Sequence, residues 1–215
     1  MHPQTKRVTF LSLPPEIRNQ IYRRVLIYNS QVGYFLRPRT ENAQSGALRS
    51  SSTRNAPSIL RICRQIYREA LPILYSEITF TFSFCDPKHE LIWLDQIGPV
   101  NVQLLKRLRI LVPAAWLDGR AYYCSSWYNL LDRLARKAIG LRYLYVYWGS
   151  GAGKDLRFVR DLAKFQGLQT LIISGSYAQH WPSYLTEKTG VRVLEEWPAS
   201  RCLTDFQLGT ETLIP

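Results

Sequence analysis

The chain has 215 residues, 46% of them hydrophobic and 13% aromatic, which is enough to bury a true core and excludes a disordered chain. Its formal net charge of +12 favours an acidic partner, whether a protein surface, RNA, DNA or anionic lipid, without choosing among them. No segment approaches the roughly 18 uninterrupted apolar residues of a membrane span, and the start of the chain lacks the apolar run of a signal peptide. We therefore expect an intracellular protein, cytoplasmic or nuclear, without a membrane partner.

A first helix is predicted from Leu13 to Leu26. Ser12 is placed to cap its N-terminus, and proline is tolerated in the first turn because its missing N–H has no partner there. Apolar residues recur at i, i+4 and i+8 and predict the buried face: Ile17, Ile21 and Val25. The opposite, cationic face is predicted to point toward solvent: Arg18, Arg23 and Arg24.

A second, long amphipathic helix is predicted to begin at Pro57 and to lead almost directly into a strand ending at Phe84. Its apolar residues form one stripe, which predicts a buried face: Ile59, Ile62, Cys63, Ile66, Tyr67, Ala70 and Leu74. The other face is basic: Arg61, Arg64 and Arg68. Pro72 falls near the predicted helix end, and from Thr79 polar and aromatic residues alternate at period two, as in a strand.

A short apolar pattern then recurs along the chain. Three segments fit L-x-x-L-x-apolar and a fourth keeps its first part: residues 105–110, 141–146, 168–173 and 191–194. Helix-like stretches precede or separate them: residues 91–97, 127–139, 155–165 and 183–188. Each unit buries its apolar face by stacking on its neighbour, so we predict an α/β fold with a curved, largely parallel, leucine-rich-repeat-like sheet, opened by a strand at Phe80–Phe84. An ordinary doubly wound α/β domain is the alternative.

Three units follow from these patterns. Residues 1–77 form a small helical module, in which the aperiodic residues 29–56 are a flexible insertion with one short extended piece at 34–36. Residues 78–197 form the αβ domain on which the module packs. Residues 198–215 form a C-terminal tail.

The sequence gives little support for an enzyme. The glycine-rich segment 148–155 departs from the phosphate-binding patterns, and we predict a turn in which Asp155 caps the next helix. The three histidines have no cysteine or carboxylate at metal-ligand spacing, and Glu195 and Glu196 fall on opposite faces of a predicted strand. We therefore predict no catalytic residue, no metal site and no cofactor.

Cysteines occur singly, without a C-x-x-C pair: Cys63, Cys85, Cys124 and Cys202. Most lie in apolar or aromatic surroundings, which predicts reduced structural thiols. A zinc site or a disulfide is the alternative.

Alternating tyrosines on one predicted strand are the first candidate for a recognition surface. Tyr143, Tyr145 and Tyr147 share a face, and Arg107 and Arg109 lie on the neighbouring strand. Together they would present a stacking and cationic surface to a target. The structural alternative is that the rings cover the inner helices while the hydroxyl groups reach water.

Two blocks of the sequence are considered together. The first is Leu13-Pro-Pro-Glu-Ile-Arg-Asn-Gln-Ile-Tyr22, followed by Leu26. The second is Leu60-Arg-Ile-Cys-Arg-Gln-Ile-Tyr-Arg-Glu-Ala70, followed by Leu74-Tyr75 and Thr79-Phe80. As a pair, these blocks resemble a large group of fungal F-box-like proteins. The segment from Trp93 to Pro99, followed by Leu104 to Ile110, is similar to the continuation in the same group.

The resemblance implies an F-box-type module joined to a leucine-rich-repeat-like substrate domain. Such an adaptor is not an enzyme; it docks on Skp1 of a cullin ubiquitin ligase and recruits a protein target through its sheet. By this analogy six residues would form the docking surface: Leu13, Pro14, Ile17, Ile21, Ile62 and Cys63. Three alternatives stay open: these residues hold the helices together, the chain is a basic nucleic-acid-binding module, or it is a protein-interaction domain without a ligase.

Overall fold

The computed structural model describes residues 9–28, 34–35, 56–82, 87–112, 125–149 and 156–196. These residues build one parallel sheet of six strands, the first only two residues long: β1 (Tyr34–Phe35), β2 (Thr79–Phe82), β3 (Arg107–Val112), β4 (Tyr143–Trp148), β5 (Thr170–Gly175) and β6 (Val193–Glu196). The order of the strands across the sheet is their order in the chain, and every neighbouring pair is parallel. A doubly wound sheet reverses its order at a switch point, so that alternative is wrong. The predicted α/β class with a parallel sheet is confirmed.

Each strand begins two residues after the first apolar residue of its pattern. Leu105, Leu141 and Leu168 are buried just before β3, β4 and β5. These leucines are part of the core next to the N-terminal ends of the strands, but they do not belong to the strands. The sheet is opened by β1, at the predicted extended piece, so its predicted opening by the strand at Phe80–Phe84 is corrected. Strand β2 covers Thr79–Phe82, and Ser83 and Phe84 lie outside the described residues.

The helices of the described ranges lie between the strands or before them: α1 (Pro15–Arg23), α2 (Ala56–Ile59), α3 (Arg64–Glu77), α4 (Lys88–Leu104), α5 (Ser125–Lys137), α6 (Leu156–Leu162) and α7 (Trp181–Thr189). From α3 to α7, each helix contacts the next, as in a single layer. The core lies between this layer and the sheet, where the Trp148 ring packs at 4.7 Å from Phe158 and 5.3 Å from Trp181. The predicted inter-strand helices are confirmed as α4 to α7.

The long helix α4 is kinked at Gly98. Gly98 has φ 76° and ψ 166°, outside the helical region, and Pro99 follows it. A positive φ favours glycine, and the residue before a proline avoids the helical conformation. Together the two residues divide α4 in two.

Helix α1 presents a different face to the core from the one its apolar pattern predicts. It begins at Pro15 after Pro14, without a side-chain cap, and continues as a π-helical turn over Arg24–Tyr28. Its buried face is Arg18, Tyr22 and Leu26. Arg18 is only 6% exposed whereas Ile17 is 41% exposed. The expectations that Ile17 is buried and Arg18 solvated are wrong by one position, and Ser12 lies in a separate 3-10 turn, Phe10–Ser12.

The predicted second helix is two helices. It breaks over residues 60–63, where the Arg61 and Ile62 N–H groups donate to carbonyls only three residues back. Ile62 is 66% exposed, and Tyr67 is also exposed, so neither belongs to the buried stripe. The buried residues of α3 are Ile66, Ala70, Ile73, Leu74 and Tyr75. Pro72 lies inside α3, which continues to Glu77.

Several expectations fall on residues outside the described ranges. These are most of the insertion 29–56, the tail 198–215, the glycine-rich residues 150–155, and Cys85, Cys124 and Cys202. Cys63 is a free, half-buried thiol.

Candidate interaction surfaces

A polar network joins the two N-terminal sequence blocks. The Arg18 guanidinium donates to both carboxylate oxygens of Glu69, Nε to Oε2 at 2.9 Å and Nη2 to Oε1 at 2.7 Å. Its Nη1 donates to the carbonyls of Leu13 at 2.5 Å and Leu11 at 3.2 Å. The Tyr22 hydroxyl donates to Glu69 Oε2 at 2.8 Å. Arg18 therefore ties the 3-10 turn, α1 and α3 to one another.

The ionisation of this network follows from its contacts. Hydrogen bonds from Arg18, then from Gln65, lower the pKa of Glu69 to about 2. Burial, together with the hydrogen bond to Glu69, raises the pKa of Tyr22 to about 12. At neutral pH the carboxylate is charged and the phenol is neutral, so Glu69 accepts hydrogen bonds from both the Arg18 guanidinium and the Tyr22 hydroxyl.

The predicted docking residues lie at the surface of this module. Ile17 and Ile62 are exposed, together with Pro14. Leu13, Ile21 and Cys63 are half-buried. None of the six is buried, and two apolar residues that were not predicted, Leu11 and Tyr67, are exposed as well. Cys63 packs against the hydrophobic core, whereas Ile17 and Ile62 are exposed to solvent.

One face of the sheet carries the predicted tyrosines and arginines, and we call it the tyrosine face. Strand register places three rows of side chains across it. The rows are Thr79, Arg107, Tyr143 and Thr170; Thr81, Arg109, Tyr145, Ile172 and Leu194; and Leu111, Tyr147, Ser174 and Glu196. The opposite positions of β4, Leu144, Val146 and Trp148, are buried in the core against the helices. The alternative in which the tyrosines cover the inner helices is therefore wrong.

Arg109 is the central cation of the tyrosine face. Its guanidinium lies 4.8 Å from the centre of the Tyr145 ring. Its Nε is buried and has no hydrogen-bond acceptor among the described residues. Arg107, one row away, is exposed and donates to the Glu77 carbonyl at 3.3 Å. The two arginines predicted for this surface thus lie together, beside the predicted tyrosines.

The edge strand β6 separates two adjacent carboxylates, as predicted. Glu195 lies in register with Ile173 on the core side and accepts a hydrogen bond from the Tyr177 hydroxyl at 2.6 Å. Glu196 lies on the tyrosine face. Burial, and then the charge of Glu196, raises the pKa of Tyr143.

Glu69 and Arg18 are the main residues that sequence reasoning missed. One signal was present: Arg18, Tyr22 and Leu26 repeat at i, i+4 and i+8 as regularly as the isoleucine stripe. Glu69 is an acidic residue that directly follows the basic segment from Arg61 to Arg68. Because the charge of Arg18 is paired with that of Glu69, the stripe of Arg18, Tyr22 and Leu26 can be buried.

These features define an α/β protein with a sequentially ordered parallel sheet and an N-terminal helical module. The chain belongs to the family described as a domain of unknown function (DUF7730), whose family model matches residues 2–192. The match runs from before α1 to beyond α7 and covers the docking residues and strands β1 to β5. Strand β6, with Leu194 and Glu196 of the tyrosine face, follows the matched region. No curated protein and no solved structure matches the chain.

Neither a membrane crossing nor a metal cluster is found where the structure describes the chain. None of the helices there combines the length and apolar character that a membrane crossing needs. Nor do those residues contain a group of three or more His, Cys, Asp or Glu side chains placed to hold a metal ion.

Proposed function

We propose that this protein is a non-enzymatic F-box-like adaptor. Its helical module docks on Skp1 of a cullin ubiquitin ligase, and its sheet presents a protein target. The observation that carries the proposal is the exposure of Ile17, 41%, and Ile62, 66%, at positions that the resemblance assigns to docking. Covering large apolar side chains of this exposure with a partner removes apolar surface from water and stabilises the complex.

The polar network supports the same proposal. In a module whose helices were held by the isoleucines, Ile17 and Ile62 would be buried between them. Instead, Tyr22 and Leu26 are fully buried, and Arg18 is bound to Glu69. The module is fixed without its exposed apolar residues, and a pre-ordered surface binds a partner at lower entropic cost.

We extend the proposal to the sheet, which we assign to the leucine-rich-repeat-like class. Its support is the sequential parallel order of the strands and the helix that precedes each strand from β3 to β6. Units of this kind bury their apolar faces against each neighbour and leave the other sheet face for recognition.

The direct test is the affinity of the whole protein for purified fungal Skp1, measured by isothermal titration calorimetry. Ile17→Asp and Ile62→Asp should each weaken binding at least tenfold, since each places a charge in an apolar interface. Ile92→Asp is the matched control, because Ile92 is 51% exposed on α4, outside the module. Circular dichroism must show that all three variants stay folded. A folded parent without affinity for Skp1 would overturn the adaptor role and leave an interaction domain without a ligase.

Nucleic-acid binding is a second candidate, favoured by the guanidinium of Arg109 stacked on Tyr145. Its test is the salt dependence of binding to a fluorescent single-stranded oligonucleotide. Affinity should fall by roughly 0.7 log units per log unit of salt for each phosphate neutralised. Absence of binding at low salt would exclude it.

A further inference from the structure

The tyrosine face carries few charges in the described strands, and its positive charges lie far from its negative one. Its cations within the described strands, Arg107 and Arg109, are both on β3, and its one carboxylate, Glu196, is on β6. Between them lie tyrosine rings and small or apolar side chains. Among the described residues, neither arginine forms an ion pair across the face.

Arg109 is prepared for an anionic group. Its guanidinium lies over the Tyr145 ring, 4.8 Å from the ring centre, and its buried Nε lacks an acceptor among the described residues. Its terminal Nη1 and Nη2 groups are the donors that an incoming acceptor can reach, and hydrogen bonds from a charged donor are stronger than neutral ones. A carboxylate matches the fork of a guanidinium and forms two parallel hydrogen bonds with it.

The distribution of charge favours a peptide over a nucleic acid. Residues two apart on one strand are separated by about 6.6 Å, so Arg107 and Arg109 span a short distance. A nucleic-acid strand presents a phosphate at every nucleotide and needs a track of cations. Here the row through Arg109 continues with Tyr145, Ile172 and Leu194, and Glu196 would repel a phosphate at the sheet edge. Tyrosines with apolar neighbours suit amino-acid side chains.

We propose that the tyrosine face binds an acidic peptide segment of the target. One Asp or Glu carboxylate pairs with Arg109, and an adjacent apolar side chain packs on Tyr145 and Ile172. This inference rests on the proposed function, since it names the chemistry of the target that the sheet would present.

The test begins with selection of a random dodecapeptide library, displayed on phage, on the whole wild-type protein. Enriched peptides should share an acidic residue beside an apolar one. A fluorescein-labelled peptide of the enriched sequence should bind Arg109→Gln about tenfold or more weakly than wild type by fluorescence anisotropy. Arg109→Lys should be intermediate, because it keeps the charge but loses the fork. Arg160→Gln, which removes an exposed charge from α6, should bind as wild type does.

Three results would overturn the inference: no enrichment, enriched peptides without Asp or Glu, or equal affinity in wild type and a folded Arg109→Gln variant. Competition by a twenty-nucleotide oligothymidine with steep salt dependence would also overturn it and assign the face to nucleic acid.

Skp1 affinity, measured on the same preparations, separates this inference from the proposed function. Arg109→Gln should bind Skp1 as wild type does, because Arg109 lies on the sheet and not in the helical module. Acidic peptide binding without Skp1 binding would sustain the inference and remove the ligase role. Skp1 binding without binding of an acidic peptide would sustain the adaptor role and overturn the inference.

Discussion

Arg18 on α1 and Glu69 on α3 are 51 residues apart in the chain and form a two-armed salt bridge of 2.7 and 2.9 Å. Arg18 also bonds to the carbonyls of Leu11 and Leu13, so one guanidinium joins three segments. Ile17, whose exposure is the main support for a docking surface, is the sequence neighbour of Arg18 on α1. With Arg18 turned toward Glu69, the side chain of Ile17 is left exposed.

The first prediction concerns Arg18→Ala. The variant leaves the Glu69 carboxylate without its two charged hydrogen bonds and two carbonyls without a donor. We expect the melting temperature, followed by circular dichroism at 222 nm and pH 7, to fall by several degrees. Arg24→Ala is the control, because Arg24 is exposed in the following turn. Equal melting temperatures for the two variants would show that the salt bridge is not needed for the module.

The second prediction is the pH dependence of the same pair. The pKa of Glu69 is about 2 in the folded protein, against 4.5 for an unperturbed glutamate. The folded state therefore binds fewer protons than the unfolded state, and the contribution of Glu69 to stability is fully present above pH 4.5. It should be lost progressively as the pH falls from about 4.5 to about 2.

The measurement is the urea midpoint of wild type and Glu69→Gln between pH 7 and pH 2. The difference between their midpoints should be constant from pH 7 to about pH 5 and should shrink below it. Gln65→Ala, which retains the Arg18–Glu69 pair, should keep most of the pH dependence. A difference that is independent of pH would contradict the depressed pKa.

The third prediction tests which face of α1 is buried. Leu26 is fully buried and Ile17 is not, although the two are equally apolar. We expect Leu26→Ala to lower the free energy of unfolding by about 2–5 kcal/mol, through lost burial and a cavity. Ile17→Ala should change it by no more than about 1 kcal/mol. Urea denaturation of both variants measures the two changes in the free energy of unfolding. A larger loss for Ile17→Ala than for Leu26→Ala would show that the face with Ile17 is the buried one, as the sequence predicted.

The sheet was largely predictable from the sequence because its signal is local. Period-two alternation in β4 places Tyr143, Tyr145 and Tyr147 on one face, and the sequential parallel pairing then sets them beside Arg107 and Arg109. The pattern identified Leu105, Leu141 and Leu168 as buried, but it did not show that they lie before β3, β4 and β5. A spacing of apolar residues predicts burial and does not distinguish a strand residue from a residue of the preceding loop.

The orientation of α1 could not be predicted, because it depends on a distant partner. Two stripes of equal period exist, and hydrophobicity alone selects the one with Ile17. Burying Arg18 becomes favourable only with Glu69 placed opposite, and that contact spans two sequence blocks. The break at residues 60–63 was missed for a related reason: it contains neither glycine nor proline, and the helical pattern continues through it.

The fourth prediction concerns the turn between α5 and β4. A Cβ atom on Gly140 would lie 2.1 Å from the carbonyl oxygen of Gln103, at the end of α4. The obstacle is backbone, which cannot move aside as the tip of a side chain can. Gly140→Ala should therefore push the turn away from α4 and lower the free energy of unfolding by about 1–3 kcal/mol.

The control for Gly140→Ala is its neighbour in the same turn. Ile139 is exposed, and Ile139→Ala should change the free energy of unfolding by less than about 0.5 kcal/mol. Both values come from urea denaturation followed by the fluorescence of the six tryptophans, one of which, Trp148, lies at the end of β4. If both variants were as stable as wild type, the contact between this turn and α4 would be looser than the structure shows. Contacts other than this turn would then have to fix the register of β4, which places Tyr145 beside Arg109.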